Sequence, residues 1–232
     1  MPTRTPLIKL EKVTKKYALE GGEFYQALNG IDLSIKEGEF VAIMGPSGSG
    51  KSTMMHIMGA LDSPTTGKYF FRGKDISTFS EDQLADIRNK EIGFVFQSFN
   101  LLRRTTVFKN VERPMMYAGI PEQERARRVM EALELVGIAD KANNLSNHIS
   151  GGQIQRVAIA RAIVMNPSII FADEPTGNLD TKTSSEIMEF LKHVNELGRT
   201  IVLITHEETI ARFAKRRIRL VDGKIVSDTK RN

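Results

Sequence analysis

Seven separated stretches of this 232-residue chain carry residue types suited to phosphate chemistry. They are GPSGSGKST at Gly45–Thr53, Gln97, ISGGQ at Ile149–Gln153, IIFADEP at Ile169–Pro175, GNLD at Gly177–Asp180, His206 and, upstream, Tyr17. The first fits G-x-x-x-x-G-K-[ST]. Across Gly45, Pro46, Ser47, Gly48, Ser49 and Gly50 the glycines let successive backbone N–H groups curl around phosphate oxygens. Lys51 then reaches the terminal phosphates, and the hydroxyl of Ser52, with Thr53 beside it, ligates magnesium.

The flanks of that motif supply its context. Glu39–Met44 (EFVAIM) is a short apolar, partly β-branched run, and Ser52–Ala60 (STMMHIMGA) carries helix formers on a period near four. Strand, glycine loop and helix in that order put the loop at a helix N-terminus, where unpaired N–H groups and the positive dipole end attract a triphosphate.

Composition narrows the setting. The length favours one domain with an inserted subdomain or two intimate lobes, and 41% apolar with 26% charged residues is ordinary for a globular protein. No apolar run approaches the roughly 18 residues a spanning helix needs. The opening MPTRTPLIKLEKV holds no extended apolar segment, so secretion is not expected, and the lack of cysteine agrees with a reducing compartment. The net charge of +5 fits nucleic acid or an anionic membrane surface equally. The basic runs RARR (Arg125–Arg128) and KRRIR (Lys215–Arg219) are expected to be solvated faces, and without an aromatic ladder or zinc spacing no nucleic-acid partner is expected. Met54, Met55 and Met58 are expected in the core.

Alternating positions in LIKLEKV and IDLSI, around the polar Leu19–Glu23, read as antiparallel strands, and strand signals recur at GKYFFR and IGFVF. From Val107 the period turns helical, with a helix start at Pro121, Glu122 and Glu124 in its first turn, and an end at Val136 before Gly137. A helix follows Ser150 up to Asn166 and Pro167; then come the strand SIIFAD, a helix over Lys182–Leu197 and the strand TIVLIT. Strands alternating with helices imply a parallel sheet. Asp222–Gly223, between RIRLV and KIVSD, signals a tight hairpin.

An apolar strand ending in Asp173 delivers that carboxylate to the ligand edge of such a sheet, where it can hold magnesium. Glu174, just past the strand end, can reach a water in line with a terminal phosphate, as phosphoryl transfer requires. Ser150–Gln153, a hydroxyl and a glycine pair opening a helix, form a second anion site.

With these residues in place the chain resembles the ATP-binding-cassette ATPases from about Leu7 to about Asp228. ISGGQ departs from that family's Leu-Ser-Gly-Gly-Gln only in Ile149 for leucine. The resemblance implies an α/β fold. A RecA-like phosphate-loop NTPase core with a parallel sheet occupies about 1–97 and 156–232, joined by an N-terminal antiparallel β subdomain and an inserted α-helical subdomain at about 98–155, all within one domain, 1–232. It implies ATP and magnesium, and a head-to-tail dimer in which Ser150, Gly151, Gly152 and Gln153 of one copy close on the ATP in the other copy's loop. Glu174, His206, Lys51 and Gln97 are then the expected catalytic set, and Ser52, Gln97 and Asp173 the magnesium set. Asp180 is expected to link the two sites. Tyr17 is expected to stack on adenine, with Tyr25 the second candidate and core packing the alternative for Tyr17.

GPSGSGKST, IGFVFQSFNLL, NVERP with YAGI, and ADEPTGNLD resemble the branch serving lipoprotein release and macrolide export. That branch implies a separate integral membrane permease subunit, a place at the cytoplasmic face of the cell membrane, and room for a periplasmic or extracellular adaptor. The cell-division ATPase of the same group, which transmits force, is the alternative; a soluble cassette clamping a cytosolic partner is the remote one. Arg103, Thr105 and Arg113 stand where the branch usually has proline, leucine and leucine. They either match acidic or polar groups on a particular partner or are neutral drift.

Overall fold

Runs such as FVAIM and IVLI, apolar at consecutive positions, satisfy the hydrophobic effect only if both faces are covered. In the computed structural model, which describes residues 5–230, they form the centre of the protein. The two ends of the expected 1–232 domain, 1–4 and 231–232, lie outside the described residues. In chain order the strands and helices begin with β1 (Ile8–Ala18), β2 (Phe24–Ile35), β3 (Phe40–Met44) and α1 (Lys51–Met58). Next come β4 (Thr66–Phe71), β5 (Lys74–Asp75), α2 (Glu81–Glu91), β6 (Ile92–Phe96), α3 (Val107–Tyr117), α4 (Glu122–Leu135) and α5 (Gly151–Ile163). The chain closes with β7 (Ile169–Asp173), α6 (Thr181–Glu196), β8 (Thr200–Ile204), α7 (Glu208–Ala211), β9 (Arg216–Val221) and β10 (Lys224–Lys230).

One sheet has the order β10-β9-β3-β8-β7-β6, parallel except where β10 turns back along β9. Its two faces sort by the period of two. Val41, Ile43, Phe171, Val202 and Ile204 pack with α1 and the first strands, while Ala42, Val95, Ile170, Ala172 and Leu203 pack with α3 to α6. A second sheet, β2-β1-β4-β5, is antiparallel as expected. Met54, Met55 and Met58 are fully buried.

The helical stretches fall where periodicity puts them: α4 is capped by Pro121 and Val136, and α6 lies one residue ahead of the expected span. A boundary at 155/156 falls inside α5, which runs unbroken. Helix α2 has no such forewarning, because Leu84 is its one buried residue. Its start is local instead: Ser80 and Gln83 form a reciprocal capping box.

Neither basic run is the plain solvated face expected. In RARR only Arg127 is mostly exposed, beside Glu131, while Arg128 is half-buried against Glu124 and Arg125, its side chain 19% exposed, pairs with Glu112 and donates to Ile120 O. KRRIR is split by strand alternation. Arg216 is 8% exposed and forks onto Asp228 at 2.8 and 2.7 Å while its third nitrogen donates to Ser34 O and Glu39 Oε2 at 2.7 and 2.8 Å. One guanidinium thus ties β9 and β10 to β2 and to the entry of β3. Hydrogen bonds from Arg216 hold the Asp228 carboxyl below its ordinary range, against the opposing pull of desolvation.

Replacing Arg216 with methionine leaves two carboxylates facing a partly buried gap and is expected to cost about 3 kcal/mol, read as a lower urea midpoint at neutral pH. Because the folded Asp228 value is depressed, its contribution is complete above the ordinary carboxylate range and is lost as pH falls through the folded value. The two proteins should therefore converge in acid. A gap of equal size at neutral and acidic pH would contradict this account.

Candidate functional site

Backbone pairing sets the site. Ile43 pairs with Ile204, Ile204 with Asp173, and Asp173 with Phe96, so one row crosses four parallel strands at their carboxyl ends. The chain leaves that row as the phosphate loop after β3, Thr205–His206 after β8, Glu174 after β7 and Gln97 after β6. Since β8 and β7 are neighbours, His206 and Glu174 meet, with Nδ1 of the imidazole 2.9 Å from the carboxylate Oε1.

The loop needs its glycines for two reasons. Gly48 and Gly50 have φ of 78° and 99°, in the left-handed region. A Cβ on Gly45 would stand 2.1 Å from Leu220 O, and one on Gly50 2.5 Å from Ala27 O. The loop is therefore seated in a socket made by β9 and β2. The hairpin turn completes it: Gly223 N–H donates to Ser49 O at 3.0 Å and Gly223 O accepts from Asn29 N–H at 2.9 Å. Asp222 and Gly223, both at positive φ, make the tight turn expected of that dipeptide.

Lys51 Nζ donates to Gly45 O and Pro46 O at 2.9 and 2.8 Å, which holds its ammonium along the loop. No side chain caps α1, so its first-turn N–H groups face the cleft. That cleft, about 560 Å³, is lined by Tyr25, Ser47, Gly48, Gly50, Lys51, Ser52, Thr53, Asp173, Glu174, Ile204 and His206. Its volume and its mix of N–H donors, ammonium and carboxylates suit a nucleotide's phosphates with a hard cation. Desolvation and the neighbouring Glu174 charge push the Asp173 carboxyl above its ordinary range, with His56 and Lys51 pulling the other way. Such crowding of negative charge beside the Ser52 hydroxyl favours a cation there.

Glu174 reaches the cleft through backbone strain. Its φ is 44°, and its N–H still donates to Ile204 O at 2.9 Å, extending the β7–β8 ladder by one bond before the chain turns. A regular strand would send the side chain to the opposite face from Asp173.

Several expected residues lie elsewhere. Gly45 and Pro46 face a different cleft, behind the loop, and Ser49 is buried with an unpaired hydroxyl. Gln97 does not line the loop cleft, since β6 is three strands from β3. It packs on the GNLD turn, where a Cβ at Gly177 would come within 2.7 Å of its Nε2, and its carbonyl accepts from Asn178. Ser150 and Gln153 form a reciprocal capping box on α5, and a Cβ on Gly152 would strike Thr183, so the signature turn abuts α6. Gly151 and Gly152 N–H groups remain open at that helix start. Asp180 caps α6 by accepting from Thr183 N–H and Oγ1 at 3.0 and 2.6 Å, bonds that hold its carboxyl below the ordinary range.

Both tyrosines are on the surface of the β1–β2 hairpin, directly paired, so core packing does not account for either. Tyr17 donates to Asp62 Oδ2 at 3.1 Å, with Lys15 Nζ 5.1 Å from its ring centre. Burial, followed by the opposing Thr53 and Asp62 hydrogen bonds, leaves its hydroxyl raised above the ordinary value. Tyr25, the second candidate, sits on the loop itself, donating to Gly48 O at 3.1 Å.

Arg161 was not legible as a site residue. From α5 it donates to Asn100 O and Phe99 O at 2.5 and 2.9 Å, clamping a turn in which both residues have positive φ. The same side chain lines an apolar groove of about 450 Å³ with Phe94, Leu102, Arg113, Pro114 and Tyr117. Arg113 Nε there is buried without a partner. Arg103 and Thr105 are outside this lining.

Comparisons place this geometry among known proteins. The family model described as ABC transporter matches residues 28–177. Over 220 residues the chain is 54% identical to the ABC transporter ATP-binding protein YknY of Bacillus subtilis, covering 95% of each. It is 51% identical over 225 residues to the macrolide export ATP-binding/permease protein MacB of Chlorobaculum tepidum, covering 97% of this chain but 34% of that protein, about a third of its length. Among solved structures, the dimeric post-hydrolysis state of the ATP-binding cassette MJ0796 bound to ADP and Pi superposes with a TM-score of 0.89 at 46% identity, covering 97% of this chain and 99% of that one.

Two substitutions test the loop and its socket. Lys51→Ala is expected to weaken ATP binding by about 10- to 100-fold, the value of a charge-assisted contact. Gly223→Ala touches no part of the loop cleft, yet its Cβ would lie 2.8 Å from Ala27 O at a φ of 71°. A smaller loss of affinity is expected from displacement of Ser49. Titration with a fluorescent nucleotide reads both, and unchanged affinity in Gly223→Ala would mean that the hairpin does not hold the loop.

Proposed function

The chain belongs to the ABC transporter family as an ATP-hydrolysing cassette, and from that premise we propose that two copies close head to tail on two ATP molecules and drive a separate membrane subunit. One observation carries the reading. The open helix start at Ser150–Gln153 contributes nothing to the cleft that holds Lys51, Glu174 and His206. Each copy therefore presents two incomplete halves of a phosphate site, and a second copy completes both.

In this reading the loop N–H groups and Lys51 hold the β- and γ-phosphates. Ser52 and Asp173 would hold magnesium, which supplies charge neutralisation across the phosphates. Glu174 orients the attacking water and takes its proton, held toward the cleft by its left-handed backbone and by His206. The Ser150 hydroxyl and the Gly151 and Gly152 N–H groups of the second copy meet the γ-phosphate from the far side. Asp180 and Thr183, packed beside Gly152, connect that contact to α6. Gln97 joins as a metal and γ-phosphate contact on closure, from its seat against Gly177. Tyr17 and Tyr25, side by side on the hairpin, flank the adenine end. The division into a core at 1–97 and 156–232 and a helical subdomain at 98–155 belongs to the same proposal, with closure moving one against the other.

The apolar groove beside Arg161 is the seat of the membrane subunit, at the cytoplasmic face of the membrane. Among the described residues no helix is long and apolar enough to cross a bilayer, so the span belongs to the partner in this reading. YknY, matched over 95% of its length, supports a cassette that works with a separate permease. The macrolide-export name of the MacB relatives supports export as the work done; extraction as an alternative, and an extracytoplasmic adaptor beyond the permease, are part of the same proposal.

Glu174→Gln keeps the side chain's size and its hydrogen-bonding reach but removes the base. Turnover is expected to fall by about 100-fold or more with ATP still bound, trapping the closed pair. Sedimentation with saturating ATP should show a dimer of the variant. A monomer alone under those conditions would refute the head-to-tail reading.

A further inference from the structure

The basic run KRRIR, split by strand alternation, has a second half that neither the buried Arg216 network nor the loop cleft uses. Arg216, Ile218 and Leu220 face inward. Arg217, Arg219 and Val221, on the opposite face of β9, line a separate cleft of about 690 Å³. In register across the hairpin, Thr229 pairs with Arg217 and Ser227 with Arg219, so two guanidiniums and two hydroxyls share one face. Both hydroxyl residues also line the cleft, as do Met44, Gly45, Pro46, His206, Glu208 and, between the two arginines, Ile218.

The charges in this cleft are only partly met. Arg217 pairs with Glu208 at 3.5 Å, and the glutamate is mostly exposed. Arg219 has no carboxylate within ion-pair distance among the described residues. Thr229 Oγ1 donates to Arg217 O at 3.3 Å, a long bond that its hydroxyl can exchange for an anion. Two planar donor forks, with that hydroxyl and Ser227 beside them, match the oxygens of a tetrahedral dianion better than they match a single carboxylate. This cleft adjoins the nucleotide cleft. Gly45 and Pro46, whose carbonyls accept from Lys51, line it from the loop side, and His206 lines both clefts.

We propose that Arg217, Arg219, Ser227 and Thr229 form a second phosphate site, which takes up orthophosphate after it separates from the loop. The proposal rests on the ATPase reading for the source of its ligand. No bond is made or broken there; the site holds the anion by charge-assisted hydrogen bonds. Such a site lowers the chance that phosphate rebinds beside ADP, and it couples release to the position of His206.

The experiment titrates inorganic phosphate into the full chain loaded with magnesium and ADP, following the phosphorus-31 line width. It compares wild type with Arg217→Gln/Arg219→Gln, Arg217→Lys/Arg219→Lys and Lys51→Ala. The glutamine pair is expected to weaken phosphate binding about tenfold, the lysine pair to recover part of that loss, and Lys51→Ala to retain broadening from the second site. Binding as in wild type by the glutamine pair would overturn the proposal. So would complete loss of binding in Lys51→Ala, which would place all phosphate at the loop. Should the glutamine pair fail to fold, as judged by its melting curve, the lysine pair and Lys51→Ala still decide. Phosphate binding needs no turnover, so a wild-type chain that failed to hydrolyse ATP would refute the ATPase reading and leave this test intact.

Discussion

In the central sheet Ile43, Ile204, Asp173 and Phe96 stand in one hydrogen-bonded row, and the positions of all the candidate groups follow from it. Parallel pairing makes four strands end together, so four loops leave the same edge. Strand order then grades them. Thr205–His206 emerges next to the phosphate loop, Glu174 one strand further, and Gln97 at the far edge. The contact between His206 and Glu174 is a consequence of neighbouring strands, as is the distance of Gln97 from the loop. Burial of both sheet faces holds this row fixed, because a slip by one residue would turn Ala172 and Leu203 away from one core and Phe171 and Val202 into it.

Local strain is spent at the points where the row alone is insufficient. A left-handed Glu174 re-aims the carboxylate that a regular strand would point away, at a cost of about 1–3 kcal/mol that the surrounding sheet must offset. The glycines of the loop allow β9, β2 and the Asp222–Gly223 turn to approach it closely. The far end of the chain thus helps shape a site whose motif lies near its start. Arg216 secures that end, joining β9 and β10 to the strands ahead of the loop. The same strand presents Arg217 and Arg219 on its other face, so one alternating run serves both a structural network and a polar cleft.

Much of this was legible from residue order. Continuous apolar runs marked β3, β7 and β8; Pro121 and Gly137 bracketed α4; Asp-Gly marked the last hairpin; the glycine pattern marked the loop. Local chemistry is written locally, and these features depend on nearby residues alone. The rest depends on which strands become neighbours. That order decides that Gln97 stands apart from the cleft, that Gly45 and Pro46 face its rear, and that Ser150–Gln153 abuts Thr183 rather than the loop of its own chain. Helix α2 escaped the period because it buries only Leu84. The ranking of Tyr17 over Tyr25 came from resemblance, whereas the contact with Gly48 comes from a hairpin register that alternation alone does not set. Arg161 escaped too: its role is to hold two strained carbonyls sixty-odd positions away, and nothing in its own helix announces it.

The central claim is that each working site is made from two chains, with the loop from one and the helix start at Ser150 from the other. Mixing two inactive variants tests it directly. Lys51→Ala cripples the loop, and Ser150→Arg blocks the helix start; head to tail, a mixed pair collects both defects in one site and leaves the other intact. The account predicts that the mixture regains ATP turnover that neither variant shows alone. A mixture as inactive as its components, with mixed pairs demonstrated by differential tagging, would contradict it.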